Sequence, residues 1–258
     1  MNLNELFSLE GKTAIITGAS RGLGFAIARG YAMAGASVLI TSRHSDEAEA
    51  AAVEIQREFG HPALGIAADV SKPVDVDRMV EQALKAWGHI DLLMTNAGII
   101  NRPRANAWEI DEATWDSVID INLKGTFLCC RRVLMEMIPR RSGKILCMAS
   151  IQSVIAQPGH SPYIASKGGI SQMVKALALE CAPYGINVNA IGPTYVRSDL
   201  VDVTLQDPEK AREVLAKLPL GRIGEPEDLI GACIFLSSKA ADYITGHLLM
   251  IDGGHTIH

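Results

Sequence analysis

The sequence predicts a doubly wound α/β fold, with a parallel sheet of seven strands and helices on both faces. Short apolar, β-branched runs alternate with helical patterns along the chain, and a glycine-rich turn joins the first run to the first helix. Repeated β–α alternation is typical of parallel sheets covered by helices. Because no segment between residues 10 and 254 has the composition of a linker, we expect a single domain over residues 1–258.

Each element follows from its local pattern. Residues 13–17 are apolar and β-branched, as in a buried strand. Val76 and Val80 belong to an apolar face at helical spacing, and Pro226 followed by acidic residues marks a helix start. We predict strands at 13–17, 37–41, 63–68, 90–95, 144–149, 186–191 and 247–251, and helices at 23–34, 45–59, 73–87, 112–139, 163–182 and 225–237, with a further helix-like stretch at 208–218.

The glycine-rich turn has the spacing Thr-Gly-x-x-x-Gly-x-Gly, with glycines at Gly18, Gly22 and Gly24. A strand, a glycine turn and a helix in this order are typical of a dinucleotide site. Glycines let the backbone approach a pyrophosphate closely, and the helix N-terminus offers amide donors. The alternative is an ordinary strand-to-helix turn.

Tyr163 and Lys167 lie four residues apart, which places a phenol and an ammonium on one face of a helix. A neighbouring cation favours the phenolate and lowers the pKa of the phenol towards the working range. Ser150 closes the apolar run 144–149, at the carboxyl end of a predicted strand. It lacks the Gly-x-Ser-x-Gly motif of many hydrolases, which argues against Ser/His hydrolysis.

These features together resemble the short-chain dehydrogenase/reductase family. The matching motifs are Thr17-Gly18-x-x-x-Gly22-x-Gly24, Asp69-Val70, Asn96-Ala97-Gly98, Asn122, Ser150, Tyr163-x-x-x-Lys167 and Ile251-Asp252-Gly253-Gly254. The resemblance implies a Rossmann-type domain that binds a nicotinamide dinucleotide and interconverts a ketone and a secondary alcohol. Within the family, the resemblance extends to the gluconate 5-dehydrogenase and 2-deoxy-D-gluconate 3-dehydrogenase branch.

The resemblance also implies catalytic roles. Ser150 hydrogen-bonds the substrate oxygen, and Tyr163 transfers the proton. Lys167 lowers the pKa of Tyr163 and holds the ribose, while Asn122 helps to hold a water and a proton path to Lys167. The alternative for Asn122 is a helix-interior side chain bonded to nearby backbone.

The cofactor prediction rests on the end of the second strand. Ser42 stands where NAD-dependent relatives carry aspartate, and Arg43 follows it, with Arg21 in the glycine turn. Guanidinium groups suit a 2′-phosphate, so we predict NADP(H), with NAD(H) as the alternative. Asp46 and Glu47 are acidic neighbours that would weaken the preference.

By family pattern, Asp69 bonds the adenine amino group, Val70 contacts the ring and Asn96-Ala97-Gly98 passes the adenosine ribose. The predicted cofactor contacts are Gly18, Ser20, Arg21, Gly22, Leu23, Gly24, Ser42, Arg43, Asp69, Val70, Asn96, Ala97, Gly98, Tyr163, Lys167, Pro193, Val196 and Ser198. The chain departs from the common pattern at Thr95 and Thr194, and Ser198 would supply the hydroxyl that meets the carboxamide.

The substrate prediction rests on two segments. Residues 194–222 interrupt the β–α rhythm and, by resemblance, form a lid over the substrate site. Arg102 follows a sugar-acid-like motif and would pair with a carboxylate; the alternative is an exposed loop arginine. We therefore expect a sugar acid, polyol or keto-sugar. The enzyme alternative is a 3-oxoacyl carrier-protein reductase, because relatives of that class share the lid and tail segments.

Composition excludes several classes. A net charge of −5 and a pI near 5.8 argue against nucleic acid as a main partner. The five cysteines form no Cys-x-x-Cys pair, which favours reduced core thiols, and no cluster has metal-ligand spacing. Because no apolar run reaches the length of a membrane span and no secretory signal opens the chain, we expect a cytoplasmic protein.

By resemblance, the helices at 112–139 and 163–182 pair between subunits, so we expect a homotetramer, with a dimer as the alternative. A non-catalytic dinucleotide-binding sensor is the alternative from another class. Such proteins usually lose a catalytic residue, whereas Asn122, Ser150, Tyr163 and Lys167 are all present.

Overall fold

A computed structural model describes residues 2–198, 201–202 and 205–257. Its centre is a seven-stranded sheet in the order β3-β2-β1-β4-β5-β6-β7, and every neighbouring pair is parallel. The strands are β1 (Thr13–Ile16), β2 (Ser37–Ser42), β3 (Ala63–Ala67), β4 (Leu92–Thr95), β5 (Gly143–Met148), β6 (Ile186–Pro193) and β7 (Leu248–Ile251). The predicted fold class and strand positions are confirmed.

Helices connect the strands. They are α1 (Leu3–Phe7), α2 (Gly22–Met33), α3 (Ser45–Phe59), α4 (Pro73–Trp87), α5 (Glu112–Ile119), α6 (Gly125–Arg140), α7 (Ser161–Cys181), α8 (Pro208–Leu215) and α9 (Ile230–Ser237). Short 3₁₀ turns lie at Ile151–Ser153, Ala182–Tyr184, Pro226–Leu229 and Lys239–Ala241. Across the described residues, no helix combines the length and the apolar character needed to cross a bilayer.

The helix predictions need three corrections. The helix predicted at 112–139 contains a π-helical segment, Asp120–Lys124, which separates α5 from α6. The first turn of the helix predicted at 225–237 is a 3₁₀ turn, and the helix predicted at 208–218 already ends at Leu215. The π segment was not predicted because a single wider turn leaves the apolar pattern of a long helix almost unchanged.

Both faces of the sheet are buried, as expected for parallel strands covered by helices. Ile15 and Leu93 are register partners and belong to one core cluster, whereas the next pair, Ile16 and Met94, belongs to the other. Side chains therefore alternate between two cores along each central strand. All five cysteines are free and buried, as predicted for core thiols.

The strand order changes direction at β1. The chain runs outward from β1 to β2 and β3 on one side, then returns to β4 on the other side of β1. In open α/β sheets a crevice forms at the carboxyl ends of the strands at such a switch point, and ligands bind there. The glycine turn follows β1, and residues 96–98 follow β4, so both predicted cofactor motifs lie at this crevice.

Candidate active site

The glycine turn packs directly against the segment that follows β4. Gly18 has φ +61°, and a Cβ built on it would lie 2.8 Å from the Cα of Ala97. Asn96 Nδ2 donates to the carbonyl oxygens of Thr17 at 3.0 Å and of Gly18 at 2.8 Å. A side chain at Gly24 would collide with this amide. The turn therefore requires glycine on physical grounds and leaves a backbone cradle that fits a dinucleotide pyrophosphate.

A cavity of about 400 Å³ lies above this cradle. It is lined by most of the predicted cofactor residues, namely Gly18, Ser20, Arg21, Leu23, Gly24, Ser42, Arg43, Asp69, Val70, Asn96, Ala97, Gly98, Tyr163, Lys167 and Ser198. Three predicted contacts lie elsewhere. Gly22 begins α2 and does not line the cavity, Pro193 lines a neighbouring cavity, and Val196 is buried in a bridge to Gly224.

The lining of this cavity carries charges of both signs. The Glu47 carboxylate accepts hydrogen bonds from Ser42 Oγ at 2.8 Å and from Ser20 Oγ at 3.3 Å. The bond from Ser42 lowers the pKa of Glu47, so this group is an anion at neutral pH. The hydroxyl of Ser42, which stands where NAD-dependent relatives carry aspartate, is thus already bonded to a carboxylate. Arg43 nevertheless lines the same cavity.

Asp69 lies in the same corner as Arg43. Burial opposes its ionisation, but hydrogen bonds from the Ser71 hydroxyl (2.7 Å) and backbone amide (3.0 Å) hold the pKa of Asp69 below its usual value. The Arg43 guanidinium adds to this lowering. The carboxylate of Asp69 is therefore a ready hydrogen-bond acceptor at the edge of the cavity, in keeping with its predicted position.

Ser150 caps the 3₁₀ turn that follows β5. Its Oγ accepts the backbone N–H of Gln152 at 3.2 Å, and its backbone is extended. Tyr163 lies in the first turn of α7 and lines the same cavity as Ser150. Burial raises the pKa of Tyr163, and a hydrogen bond with Ser150 opposes this rise. The two hydroxyls thus form one polar pair at the carboxyl end of the sheet.

Lys167 is 4% exposed, and its Nζ donates to the carbonyl oxygen of Met148 at 2.7 Å. Burial lowers the pKa of Lys167 to about 8, and Cys147 partly opposes this. Its Nζ lies 5.6 Å from the centre of the Tyr163 ring. Because burial dominates the pKa of Tyr163 here, the effect of Lys167 on that pKa stays a prediction.

Asn122 lies within the π segment and is fully buried. Its Nδ2 donates to the Ile99 carbonyl oxygen (2.8 Å) and to Ser166 Oγ (3.0 Å), while its Oδ1 accepts the Ile99 N–H (2.8 Å). Asn122 therefore ties the segment after β4 to the helix that carries Tyr163. Its contribution to a proton path stays a prediction, because its side chain bonds to Ile99 and Ser166 and none of these bonds reaches Lys167.

A second cavity, of about 640 Å³, lies beside the first, and Tyr163 lines both. Ser150 and Arg102 also line it, as does Arg104, which sequence reasoning did not single out. Burial, together with the nearby charges of Arg104 and Arg102, lowers the pKa of His160 to about 4. His160 Nδ1 is paired with Asn101 Oδ1 at 3.2 Å. This wall therefore combines two cations with a neutral imidazole.

The segment predicted as a lid borders this cavity. Lys210, Glu213 and Lys217, on or just after α8, line it, as do Thr194 and Tyr195. Val214, Leu218 and Ile223 form a small hydrophobic cluster that is separate from the two cores of the sheet. Residues 199–200 and 203–204 of the predicted lid lie outside the described part of the chain.

The C-terminal tail supports the start of this segment. Thr194 Oγ1 pairs with His255 Nδ1 at 2.7 Å, and the Tyr195 ring stacks on His255 with centroids 5.9 Å apart. Leu220 N–H donates to the Gly253 carbonyl oxygen at 3.1 Å. The hydroxyl of Thr194, where many relatives have glycine, thus has a partner that sequence reasoning did not anticipate.

The arrangement suits proton transfer next to a bound dinucleotide. Two hydroxyls, Ser150 and Tyr163, face a cavity that can hold a small polar molecule, and Tyr163 also faces the glycine cradle. A buried lysine follows one helical turn later. Such a wall between two cavities brings a proton donor to the boundary between two ligands.

Comparison with known proteins agrees with this geometry. The family model described as enoyl-(acyl carrier protein) reductase matches residues 18–256. The chain is 36% identical to the 5-keto-D-gluconate 5-reductase of Escherichia coli K12, over 98% of both chains. It is 41% identical to the 2-dehydro-3-deoxy-D-gluconate 5-dehydrogenase of Pseudoalteromonas atlantica, over 97% of this chain and 98% of that protein.

A solved structure of a related protein is similar to this chain over its full length. The gluconate 5-dehydrogenase of Burkholderia cenocepacia, in complex with NADP and tartrate, superposes with a TM-score of 0.95 at 34% identity and 100% coverage of both chains. The shared fold, the ordered motifs and the full-length similarity point to one group of oxidoreductases. The chain belongs to the short-chain dehydrogenase/reductase family.

Proposed function

We propose that the protein is an NADP(H)-dependent oxidoreductase that interconverts a ketone and a secondary alcohol on a sugar acid. The observation that carries this proposal is the position of Tyr163 on the wall shared by two cavities. One cavity has the glycine cradle of a dinucleotide site, and the other has Arg102 and Arg104 on its wall. The names of the relatives support the substrate class, and the NADP complex supports the cofactor.

In this reaction NADP(H) supplies or accepts the hydride. Tyr163 donates the proton to the developing alkoxide during reduction and removes it during oxidation. Its raised pKa keeps the phenol protonated at neutral pH, which suits the reducing direction. Ser150 is bonded to Gln152 N–H and close to Tyr163, so it is placed to donate to the substrate oxygen.

Lys167 contributes through charge. Its ammonium is fixed at the Met148 carbonyl, and a pKa of about 8 keeps it mostly protonated at pH 7. In the proposed site it holds the nucleotide ribose and stabilises the phenolate left after proton transfer. Asn122 keeps α7 in register with the segment after β4, through Ser166 and Ile99.

The walls of the substrate cavity favour an anionic, hydroxylated ligand. The charged side chains that line this cavity are one carboxylate, Glu213, and four cations, Arg102, Arg104, Lys210 and Lys217. A guanidinium suits a carboxylate because it forms charge-assisted, paired hydrogen bonds. A 3-oxoacyl thioester has no carboxylate to pair with these guanidinium groups, so this alternative is the less favoured one.

The first test is NADPH oxidation, compared with NADH, on 5-keto-D-gluconate, neutral keto-sugars and an acetoacetyl thioester. We expect turnover of the keto-sugar acid with NADPH preferred. Turnover confined to the thioester would overturn the substrate proposal and favour carrier-protein reduction. Failure of all substrates, with dinucleotide binding intact, would favour a non-catalytic sensor.

Tyr163→Phe tests whether Tyr163 is the proton donor. It removes only the phenolic oxygen, so we expect kcat to fall by about 100-fold or more while the Kd of NADPH stays within about twofold. Equal activity of variant and wild type would contradict the proposed proton donor.

A further inference from the structure

Gln152 carries an unusual feature for a buried amide. The residue is 8% exposed and lies in the 3₁₀ turn Ile151–Ser153, immediately after Ser150. Its backbone N–H donates to Ser150 Oγ. Its side-chain Oε1 is buried and has no hydrogen-bond partner within the part of the chain that the structure describes.

The unpaired oxygen belongs to a residue of the substrate cavity. Gln152 lines the 640 Å³ cavity together with Ser150 and Tyr163. Buried polar atoms in native proteins are nearly always paired, so an unpaired one on a residue that lines a cavity calls for an explanation, such as a ligand group that completes the bond. The missing partner must donate a hydrogen bond to the side-chain amide.

The position of Gln152 limits what that donor is. The backbone of Gln152 is bonded to the hydroxyl that, in the proposed function, holds the substrate carbonyl oxygen. Gln152, Ser150 and Tyr163 line one cavity, so a ligand whose carbonyl oxygen meets Ser150 lies in the same cavity as the side chain of Gln152. A hydroxyl can donate to the amide oxygen and also accept from the amide nitrogen, so it satisfies the amide in either orientation. A carboxylate can only accept.

We propose that Gln152 is a specificity-determining residue that binds a hydroxyl group on the carbon next to the reacting carbonyl. This inference rests on the proposed function and narrows its substrate class to α-hydroxy ketones and the corresponding vicinal diols. A 3-oxoacyl thioester has a methylene at that position and offers Gln152 no donor. A simple ketone leaves the amide unpaired as well.

The test uses a pair of substrates that differ by one hydroxyl, 1-hydroxy-2-butanone and 2-butanone, with NADPH. Gln152→Leu has similar volume but no amide. For this variant we expect kcat/KM on the hydroxy ketone to fall roughly 10- to 100-fold, and kcat/KM on 2-butanone to change less than about threefold. Gln152→Glu retains an acceptor oxygen and should keep most activity on this neutral hydroxy ketone.

Two further readouts separate binding from a structural role. Gln152→Leu removes an unpaired buried polar atom, so the Tm of the ligand-free protein should be retained or raised. The Kd of NADPH should stay the same. Gln172→Leu, on the exposed part of α7, is the control for the amide-to-leucine change and should leave both ketone activities unaltered.

Equal losses on the two ketones, a lowered Tm with no selectivity change, or no loss at all would overturn the inference. A wild-type enzyme that turns over a keto-sugar acid but prefers 2-butanone, or reduces neither of the two ketones, would overturn it too. Failure of the proposed function has a different signature. In that case the wild type would reduce 1-hydroxy-2-butanone in a Gln152-dependent way but would not turn over any keto-sugar acid.

Discussion

At the scale of single residues, the cofactor preference depends on a balance of charges in one corner. Arg43 and Arg21 favour a 2′-phosphate, whereas the Glu47 carboxylate, bonded to Ser42 and Ser20, opposes one. A bound ribose hydroxyl could share this carboxylate, which is how NAD-specific sites use an acidic residue. We therefore propose that Glu47 limits selectivity for NADP(H) over NAD(H).

Glu47→Gln removes the opposing charge. We expect the ratio of the NADH Kd to the NADPH Kd to increase by about tenfold, because the anionic phosphate no longer meets a carboxylate. Fluorescence titration of both nucleotides measures this ratio. Glu49→Gln, on the same helix but bonded to Ser45, is the matched control and should leave the ratio within about twofold. An unchanged ratio in Glu47→Gln would contradict this role.

His160 predicts a pH dependence of stability. Its pKa is lowered from 6.5 to about 4 in the folded protein, mainly by burial. Above pH 6.5 the ring is neutral in both states. As the pH falls from 6.5 towards 4, the unfolded chain binds a proton that the folded protein does not. The free energy of unfolding therefore falls, by at most about 1.4 kcal/mol per pH unit from this group.

Denaturant unfolding of the wild type and of His160→Gln at pH 7 and pH 4.5 measures this contribution. The wild type should lose more stability than the variant over this interval, because glutamine does not titrate. Parallel losses in the two proteins would mean that His160 takes up its proton without cost.

At the scale of elements, the tail and the proposed lid depend on each other. His255 pairs with Thr194 and stacks on Tyr195, and both of these residues line the substrate cavity. The lid end is fixed separately, since the Arg222 guanidinium pairs with both oxygens of Asp228 at 2.6 and 2.8 Å. The first residues of the proposed lid are therefore held against the C-terminal tail.

His255→Ala should affect substrate binding alone. We expect the KM of the keto substrate to rise roughly threefold to tenfold, because Thr194 and Tyr195 lose their support, while the Kd of NADPH stays unchanged. Steady-state kinetics and nucleotide titration separate the two effects. Ile257→Ala changes a neighbouring tail residue that is 81% exposed and is expected to have no effect on KM. A KM of wild-type size in His255→Ala would show that the tail does not position the lid.

Much of this arrangement was predictable at the scale of elements. The strands and the glycine turn were predicted correctly because apolar runs and glycine spacing are local patterns. Ser150, Tyr163 and Lys167 do lie together at the carboxyl ends of the strands. The partners of side chains were not predictable. The bond of Glu47 to Ser42 depends on how α3 packs beside β2, and the unpaired oxygen of Gln152 depends on every neighbour around it. Such contacts join elements and leave no periodic signal in the sequence.

At the scale of the whole molecule, apolar side chains remain exposed on the two helices predicted to pair between subunits. Phe127 and Met135 on α6 are 44% and 60% exposed, and Leu179 on α7 is 80% exposed. Large apolar groups that stay exposed on helices are a mark of interaction surfaces. We propose that these helices assemble the homotetramer, in agreement with the family resemblance.

Leu179→Asp tests this assembly. A charge on the exposed apolar surface of α7 should reduce the mass measured by light scattering at micromolar concentration from a tetramer to a smaller species. Val53→Asp, on α3, introduces the same charge at a residue that is 67% exposed and should preserve the tetramer. A monomeric wild type at micromolar concentration would contradict the proposal outright.

The small cluster of Val214, Leu218 and Ile223 affects how the sequence of the enzyme can diverge during evolution. Because these side chains pack with one another and not into the cores of the sheet, their local opening should require much less free energy than global unfolding. Substitutions there alter a local equilibrium and leave the cooperative unfolding of the sheet nearly intact. Substitutions in this segment can therefore change which substrates the enzyme accepts with little loss of global stability. Comparable changes beside Gly18 would instead disrupt the nucleotide cradle.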